Sequence, residues 1–282
     1  MPRKVAIVTG ASSGMGAALS TTLVSAGWHV AMADITPNAT LLTALQPHAT
    51  FHRTDVSSYA SQAKTFLAVH DTHGRIDALC ANAGVVDRSS LYLLGSRGAK
   101  VEDIPAEPDL SCTDIDYKGV VYGTQLAVHF MRFNPTPGGA IVATASIAAV
   151  HPHPSYPEYN GAKAAVLNFM RGVKDVLWMK EGIRMNCVLP GIVETAIIPK
   201  EMVEAVSPEC ITPIKTVTDA YIRLLEDPSI YGEAIECSAK SHFFFPEPEM
   251  SNGRITRRAV TVWEPLFKML HGEDSELPDA IA

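Results

Sequence analysis

Lys4-Val5-Ala6-Ile7-Val8-Thr9-Gly10-Ala11-Ser12-Ser13-Gly14-Met15-Gly16 runs from an unbroken apolar stretch into a glycine-rich turn. A continuous apolar run of this length suits a strand covered on both faces. The glycines let the backbone turn tightly and let an anion approach the amides of a following helix. Helical spacing follows through Ala17, Ala18, Leu23 and Val24, and Gly27 is a natural stop. Glycines also end strands for purely structural reasons. Their placement between an N-terminal strand and a helix favours a nucleotide-phosphate site.

The same alternation continues outward. Residues 28–34, 50–54, 76–81, 140–146, 183–189 and 234–238 read as further strands. Residues 57–73 read as a helix capped by Ser57 or Ser58 and closed by Gly74. Residues 112–133 and 157–180 read as two long helices, with Gly182 ending the second. Apolar strands separated by helices predict an α/β fold: a doubly wound parallel sheet of about seven strands with helices on both faces. No linker breaks the pattern, so residues 1–282 read as one domain. Residues 87–110 form a long irregular segment, of the kind that covers or shapes a site.

Composition narrows the function classes. The chain has 282 residues, 47% hydrophobic and 19% charged, with a formal net charge of -7. An acidic balance argues against nucleic acid as partner. The five cysteines, Cys80, Cys112, Cys187, Cys210 and Cys237, are odd in number and form no CxxC pair. Reduced thiols, and hence a cytoplasmic setting, are expected. A strand pattern from Lys4 leaves no room for a signal peptide, and no apolar run is long enough to span a membrane.

Asp34 ends the second strand, where an acidic side chain would meet an adenosine ribose. It can accept hydrogen bonds from the ribose hydroxyls and would repel a 2′-phosphate. One such charge pair at about 4 Å is worth ~1 kcal/mol in water and ~4 kcal/mol at an effective dielectric near 20. No Arg or Lys lies in the glycine loop or directly after Asp34 to reverse this. NAD(H) is therefore favoured over NADP(H). A solvated strand-end aspartate is the bland alternative. Asp55-Val56 follows the third strand and Asn82-Ala83-Gly84 the fourth; each also suits an ordinary turn.

Tyr159-Asn160-Gly161-Ala162-Lys163 opens the second long helix, and its i, i+4 spacing puts Tyr159 and Lys163 on one face. An adjacent ammonium stabilises a phenolate, which would let a tyrosine act as a base near neutrality. Alone, such a pair is as often a surface contact. Ser146 ends the fifth strand thirteen residues earlier, where it can reach the same substrate oxygen, although a serine there can also be a mere cap.

Taken in order, Thr9-Gly10…Gly14-Met15-Gly16, Asn82-Ala83-Gly84, Ser146 and Tyr159…Lys163 resemble the short-chain dehydrogenase/reductase family over roughly residues 4–238. The resemblance implies a Rossmann-type sheet and a nicotinamide cofactor, with Gly10, Ser12, Ser13, Gly14, Met15 and Gly16 in the phosphate loop. It also implies that Asp55 and Val56 lie by the adenine, that Asn82, Ala83 and Gly84 steady the sheet and touch the cofactor, and that Ser146, Tyr159 and Lys163 do the chemistry, with Tyr159 and Lys163 also binding the cofactor and Lys163 placed to hold the nicotinamide ribose hydroxyls. Pro190, Gly191, Val193 and Thr195 resemble the family's PG loop, which contacts the carboxamide and phosphates. One position departs from the family: Asp116-Tyr117-Lys118-Gly119 stands where many members carry a catalytic Asn. Asp116 keeps the backbone carbonyl and an acceptor but loses the amide donor, so it either substitutes, shifts the pH profile or is structural.

The expected activity is NAD(H)-dependent interconversion of a secondary alcohol and a ketone on a mid-sized apolar small molecule, without a metal. The alternatives are an NADPH-dependent carbonyl reductase and a catalytically silent nucleotide-sensing regulator. Residues 192–212 match the family's substrate-covering segment, and His151-Pro152-His153-Pro154 reads as a rigid pocket wall. The tail, residues 240–282, either packs on its own subunit or, beginning with Phe243-Phe244-Phe245, closes over the substrate pocket of its own or a neighbouring subunit; membrane association is the weakest option. A homodimer or homotetramer is expected through the two long helices, on apolar residues such as Val121, Leu126, Val128, Phe130, Val166, Phe169, Val173 and Val176.

Overall fold

The computed structural model describes residues 3–282. Its strands are β1 (Val5–Thr9), β2 (His29–Asp34), β3 (Ala49–Arg53), β4 (Ala78–Ala81), β5 (Gly139–Thr144), β6 (Ile183–Pro190), β7 (Ala234–Ser238) and β8 (Ser241–Phe244). They form one sheet in the order β3-β2-β1-β4-β5-β6-β7-β8. All pairings are parallel except β7 with β8. The order reverses between β1 and β4. In such sheets the crevice beyond the strand C-termini at that point is where ligands bind.

The nine helices of the described residues are α1 (Gly14–Ser25), α2 (Ala39–Leu45), α3 (Tyr59–His73), α4 (Gly119–Met131), α5 (Pro157–Glu181), α6 (Lys200–Ala205), α7 (Ile214–Glu226), α8 (Gly253–Ala259) and α9 (Glu264–His271). The strand period of two splits the sheet into two cores. Ile7, Leu79, Ile141 and Met185 face Phe66 of α3, Phe130 of α4 and Met170 of α5. Val8, Cys80, Val142 and Val188 face Leu19 and Leu23 of α1 and Tyr221 and Leu224 of α7. With both faces covered, central strands must be apolar throughout, which explains the unbroken runs of the sequence. No helix among the described residues is long and apolar enough to cross a membrane.

The structure refines three expectations. The sheet has eight strands, because Ser241–Phe244 folds back as an antiparallel edge. The helix expected over residues 112–133 has a π-helical turn at Thr113–Lys118 before α4 begins. Such wide turns are frequent at functional sites. Within the subunit, no residue of the tail lines the cleft described below. Phe243 and Phe244 belong to β8, and Phe245 packs on the core beside Arg171. The rest lies along α5, held by Lys174–Glu247 and Lys180–Glu276 ion pairs. Simple packing fares little better at its end, since Val260, Trp263 and Leu270 are exposed.

The outer faces of α4 and α5 are less open than their composition suggested. Leu126, Phe130 and Val166 are buried within the subunit. Val121, Val128, Phe169, Val173 and Val176 are half-buried. The cysteines are all free; Cys80, Cys112, Cys187 and Cys237 are buried and Cys210 is exposed.

Candidate active site

Beyond the C-terminus of β1 the chain turns through two left-handed glycines, Gly10 (φ 64°) and Gly14 (φ 49°), into α1. A Cβ on Gly10 would lie 2.9 Å from the Ala83 backbone, and one on Gly16 would overlap the Gly10 carbonyl. Only glycine permits this packing of loop on strand. Gly10, Ser13, Gly14, Met15, Asn82, Ala83 and Gly84 then line a groove closed on its far side by Thr195, Ala196 and Ile197. The first turn of α1 carries no acidic side chain, and Ser13, its N-cap, makes no side-chain cap. Ser12 Oγ is buried without a hydrogen-bond partner among the described residues. Free helix amides, a spare hydroxyl and a glycine-lined wall are the donor set a pyrophosphate requires.

Asp34 closes β2 beside this loop. Its Oδ2 accepts from the Ser12 amide at 3.0 Å and its Oδ1 from the Thr36 amide at 3.2 Å. Asn38, the N-cap of α2, donates to the Ser12 carbonyl at 2.9 Å. The carboxylate is thus fixed next to the glycine loop. Asp55 caps the turn after β3 by accepting from Ser57, and Val56 is buried against Gly119. The Asn82 amide donates to Thr9 Oγ1 and its side-chain Nδ2 to the Thr9 carbonyl; its Oδ1 accepts from Thr144 Oγ1 at 3.4 Å. One side chain therefore ties β1, β4 and β5 together at the edge of the groove.

Ser146 lies two residues past β5, with extended backbone and an Oγ that accepts from the Ala148 amide at 3.1 Å. With the oxygen's acceptor side engaged, its proton is free to be donated. Ser146 and Tyr159 line one cleft of about 170 Å³. Lys163 lies one turn below Tyr159, its Nζ 5.5 Å from the phenol ring centre and bonded to the Thr144 carbonyl at 2.8 Å. Lys163 and Asp116 are both buried, and Lys163 Nζ is 3.2 Å from Asp116 Oδ2. Burial pushes the Asp116 carboxyl above its usual range, with Lys163 opposing only in part. Burial also works to lower Lys163, but the charges of Asp116 and Tyr159 outweigh it and hold the ammonium. Asp116 Oδ1 accepts from the Val85 amide at 2.8 Å, so this carboxylate also secures the chain just past Gly84.

Pro190 ends β6, Gly191 donates to the Cys237 carbonyl, and Val193 is buried in the core. Thr195 leans over Gly14. Within residues 192–212, Ile192, Ile197, Ile198 and Met202 line the cleft. His151, His153 and Tyr156 line the opposite side, as a wall of the cleft. No tail residue lines it.

Sequence reading passed over two residues. Thr144 turns its carbonyl to Lys163, and its hydroxyl pairs with the buried Tyr221 of α7 at 2.5 Å. Asp87 belongs to a tight group with Cys112 and Glu158, whose ligand atoms lie within 4.8 Å of one another. Thr144 carried no sequence signal beyond its place at a strand end. Asp87 had one: the helix starting at Pro157 is preceded by Tyr156, which is no cap.

A profile of the short chain dehydrogenases matches residues 4–204. The short-chain dehydrogenase/reductase prx6 of Penicillium rubens is 56% identical over 99% of this chain and 97% of its own length. The 15-hydroxyprostaglandin dehydrogenase [NAD(+)] of Mus musculus is 28% identical over 88% of this chain and 94% of its own. The 3-ketoacyl-(acyl-carrier-protein) reductase of Brucella melitensis, solved with NADH, has a TM-score of 0.72 at 20% identity, covering 84% of this chain and 97% of that one. That last likeness concerns the fold.

Proposed function

The chain belongs to the short-chain dehydrogenase family of oxidoreductases, and on that premise we propose that it interconverts a secondary alcohol and a ketone with NAD(H). The observation that carries this reading is that Ser146 and Tyr159 face one cleft while Lys163 stands buried behind the phenol. Asp34 supports NAD(H) over NADP(H), because its carboxylate is fixed where a 2′-phosphate would meet it. The Mus musculus relative, named as NAD(+)-dependent, agrees with that choice.

In this reading Gly10, Ser12, Ser13, Gly14, Met15 and Gly16 hold the pyrophosphate, Asp34 the ribose, and Asp55 and Val56 flank the adenine. Asn82, Ala83 and Gly84 form the floor, and Pro190, Gly191, Val193 and Thr195 close over it. When bound, the nicotinamide accepts or supplies the hydride. Ser146 donates a hydrogen bond to the substrate oxygen and orients it. Tyr159 takes the hydroxyl proton in oxidation and returns it in reduction. Lys163 stabilises the anionic phenol, and Asp116 holds that ammonium in place. Ile192, Ile197, Ile198, Met202 and Tyr156 exclude water and favour an apolar frame around the reacting carbon.

A homo-oligomer through α4 and α5 belongs to the same proposal. Its support is the half-buried strip of Val121, Val128, Phe169 and Val173. Purified protein offered a panel of secondary alcohols with NAD or NADP tests the reading. NADH formation on at least one alcohol is expected. Preference for NADP would favour the carbonyl reductase, and cofactor binding without turnover a silent regulator.

A further inference from the structure

The first turn of α5 lacks a cap of its own. Tyr156 occupies the N-cap position without a side-chain cap, and Pro157 has no amide to offer. That leaves the amides of Glu158 and Tyr159 to be satisfied from elsewhere, since Asn160 already donates to the Tyr156 carbonyl. Asp87, more than seventy residues upstream, supplies both acceptors. Its Oδ2 takes the Glu158 amide at 2.9 Å and its Oδ1 the Tyr159 amide at 2.8 Å.

We propose that Asp87 is a positioning residue for Tyr159, acting as a remote N-cap that fixes the phenol against Ser146 and Lys163. The inference rests on the reading of Tyr159 as the acid–base group. Asp87 is held from both sides. Two residues before it, Val85 donates to Asp116 and accepts from the Cys112 thiol at 3.4 Å. Glu158, one of the residues it caps, in turn accepts from the Thr113 amide at 2.7 Å, at the start of the π-helical turn. Residues 85–87, the turn carrying Asp116 and the start of α5 thus form one closed hydrogen-bonded frame around the Tyr159–Lys163 pair. Three amide donors converge on Asp87 and Glu158.

The role differs from general helix stability because the capped amide is the catalytic tyrosine's own. Asp87→Ala frees both amides, and Asp87→Asn retains one carboxylate-like oxygen for Tyr159. Ångström-scale misplacement costs up to about a hundredfold in rate, so Asp87→Ala is expected to lower kcat about tenfold or more. Asp87→Asn should fall between the two. NADH affinity, measured by fluorescence of the bound cofactor, should stay within about twofold in both, since the lost interaction is absent from the cofactor groove.

The test measures kcat and NADH binding for wild type, Asp87→Asn, Asp87→Ala and Asp87→Glu on one alcohol that wild type oxidises. Asp87→Glu keeps both acceptors and should recover more rate than Asp87→Ala. Wild type that oxidises no alcohol would count against the proposed function. The positioning role is then read spectroscopically, from the tyrosinate absorbance step that Tyr159→Phe removes. That step should move to higher pH in Asp87→Ala, as the phenol drifts from the ammonium, and not in Asp87→Glu. Equal kcat in all four proteins, a loss matched by lost cofactor binding, or an unmoved tyrosinate step would overturn the proposal.

Discussion

Asp116→Asn changes one oxygen of the buried pair with Lys163 into an amide and restores the residue type common in the family. At 3.2 Å and an effective dielectric near 20, the attraction removed is roughly 5 kcal/mol. The carboxylate's own burial cost disappears with it, so the net loss is smaller. Removing one partner of a buried pair typically costs about 3–5 kcal/mol. The lower end applies here, because Lys163 keeps the Thr144 carbonyl and the new side chain can still accept from Val85. At ~2 °C per kcal/mol for a chain of this size, the melting temperature should fall by about 5 °C. Catalysis should move in a different sense. The Lys163 ammonium lies 5.5 Å from the Tyr159 ring centre, and the Asp116 anion offsets part of its charge there. Losing that anion should shift the acidic limb of the kcat/KM profile for alcohol oxidation lower. Lys163 loses the partner that raises it, so the alkaline limb should fall as well. Thermal melts and a pH series of NADH formation measure both. An acidic limb that stays put or rises, with an unchanged melting temperature, would refute the coupling of Asp116 to the phenol through Lys163.

Tyr159→Phe deletes only the proton-transfer hydroxyl; turnover should drop by about a hundredfold or more with NADH binding retained, and more than about a tenth of the wild-type rate would remove Tyr159 from its role. Asp34→Ala should raise the ratio of NADP to NAD use in steady-state assays, and a wild type that already prefers NADP would contradict the repulsion argument. Burial, with His73, His48, His52 and Arg3 nearby, lowers His29 to about 4. His52 and His73 are depressed too, again chiefly by burial. Groups depressed in the folded state contribute stability above their unfolded value near 6.5 that is lost as pH falls toward 4. Melting temperature should therefore decline from about pH 6.5 to 4 less steeply in His29→Gln than in wild type, and parallel declines would clear the cluster of this effect.

Much of the sheet was legible because central strands must be apolar along their whole length. The unbroken runs at Val5–Thr9 and Ile183–Pro190 announced themselves. The edge strand Ser241–Phe244 did not: it is four residues long and largely exposed, so its phenylalanines read as a flap. Helix α7 was readable and went unread, since Val217, Ala220, Tyr221, Leu224 and Leu225 carry the helical period. In the site, the spacing of Tyr159 and Lys163 fixed their common face locally. The burial of Asp116 against Lys163, and the cap that Asp87 lends to Tyr159, join residues far apart in the chain. Sequence pattern sees no such pairings; only a missing cap before Pro157 hinted that one was needed.

The distribution of cysteines gives the molecule a built-in probe of its own motion. Thiol reactivity requires exposure and thiolate, and burial pushes Cys187 and Cys237 up to about 12 and Cys80 and Cys112 higher still. Cys210 alone is exposed, and it lies in the segment that roofs the cleft. A maleimide dye added to the native enzyme should attach there selectively, with no cysteine removed beforehand. Its emission then reports on the roof as cofactor and alcohol are added. The four shielded thiols would respond only when the sheet itself opens, so labelling stoichiometry separates a moving roof from an unfolding core.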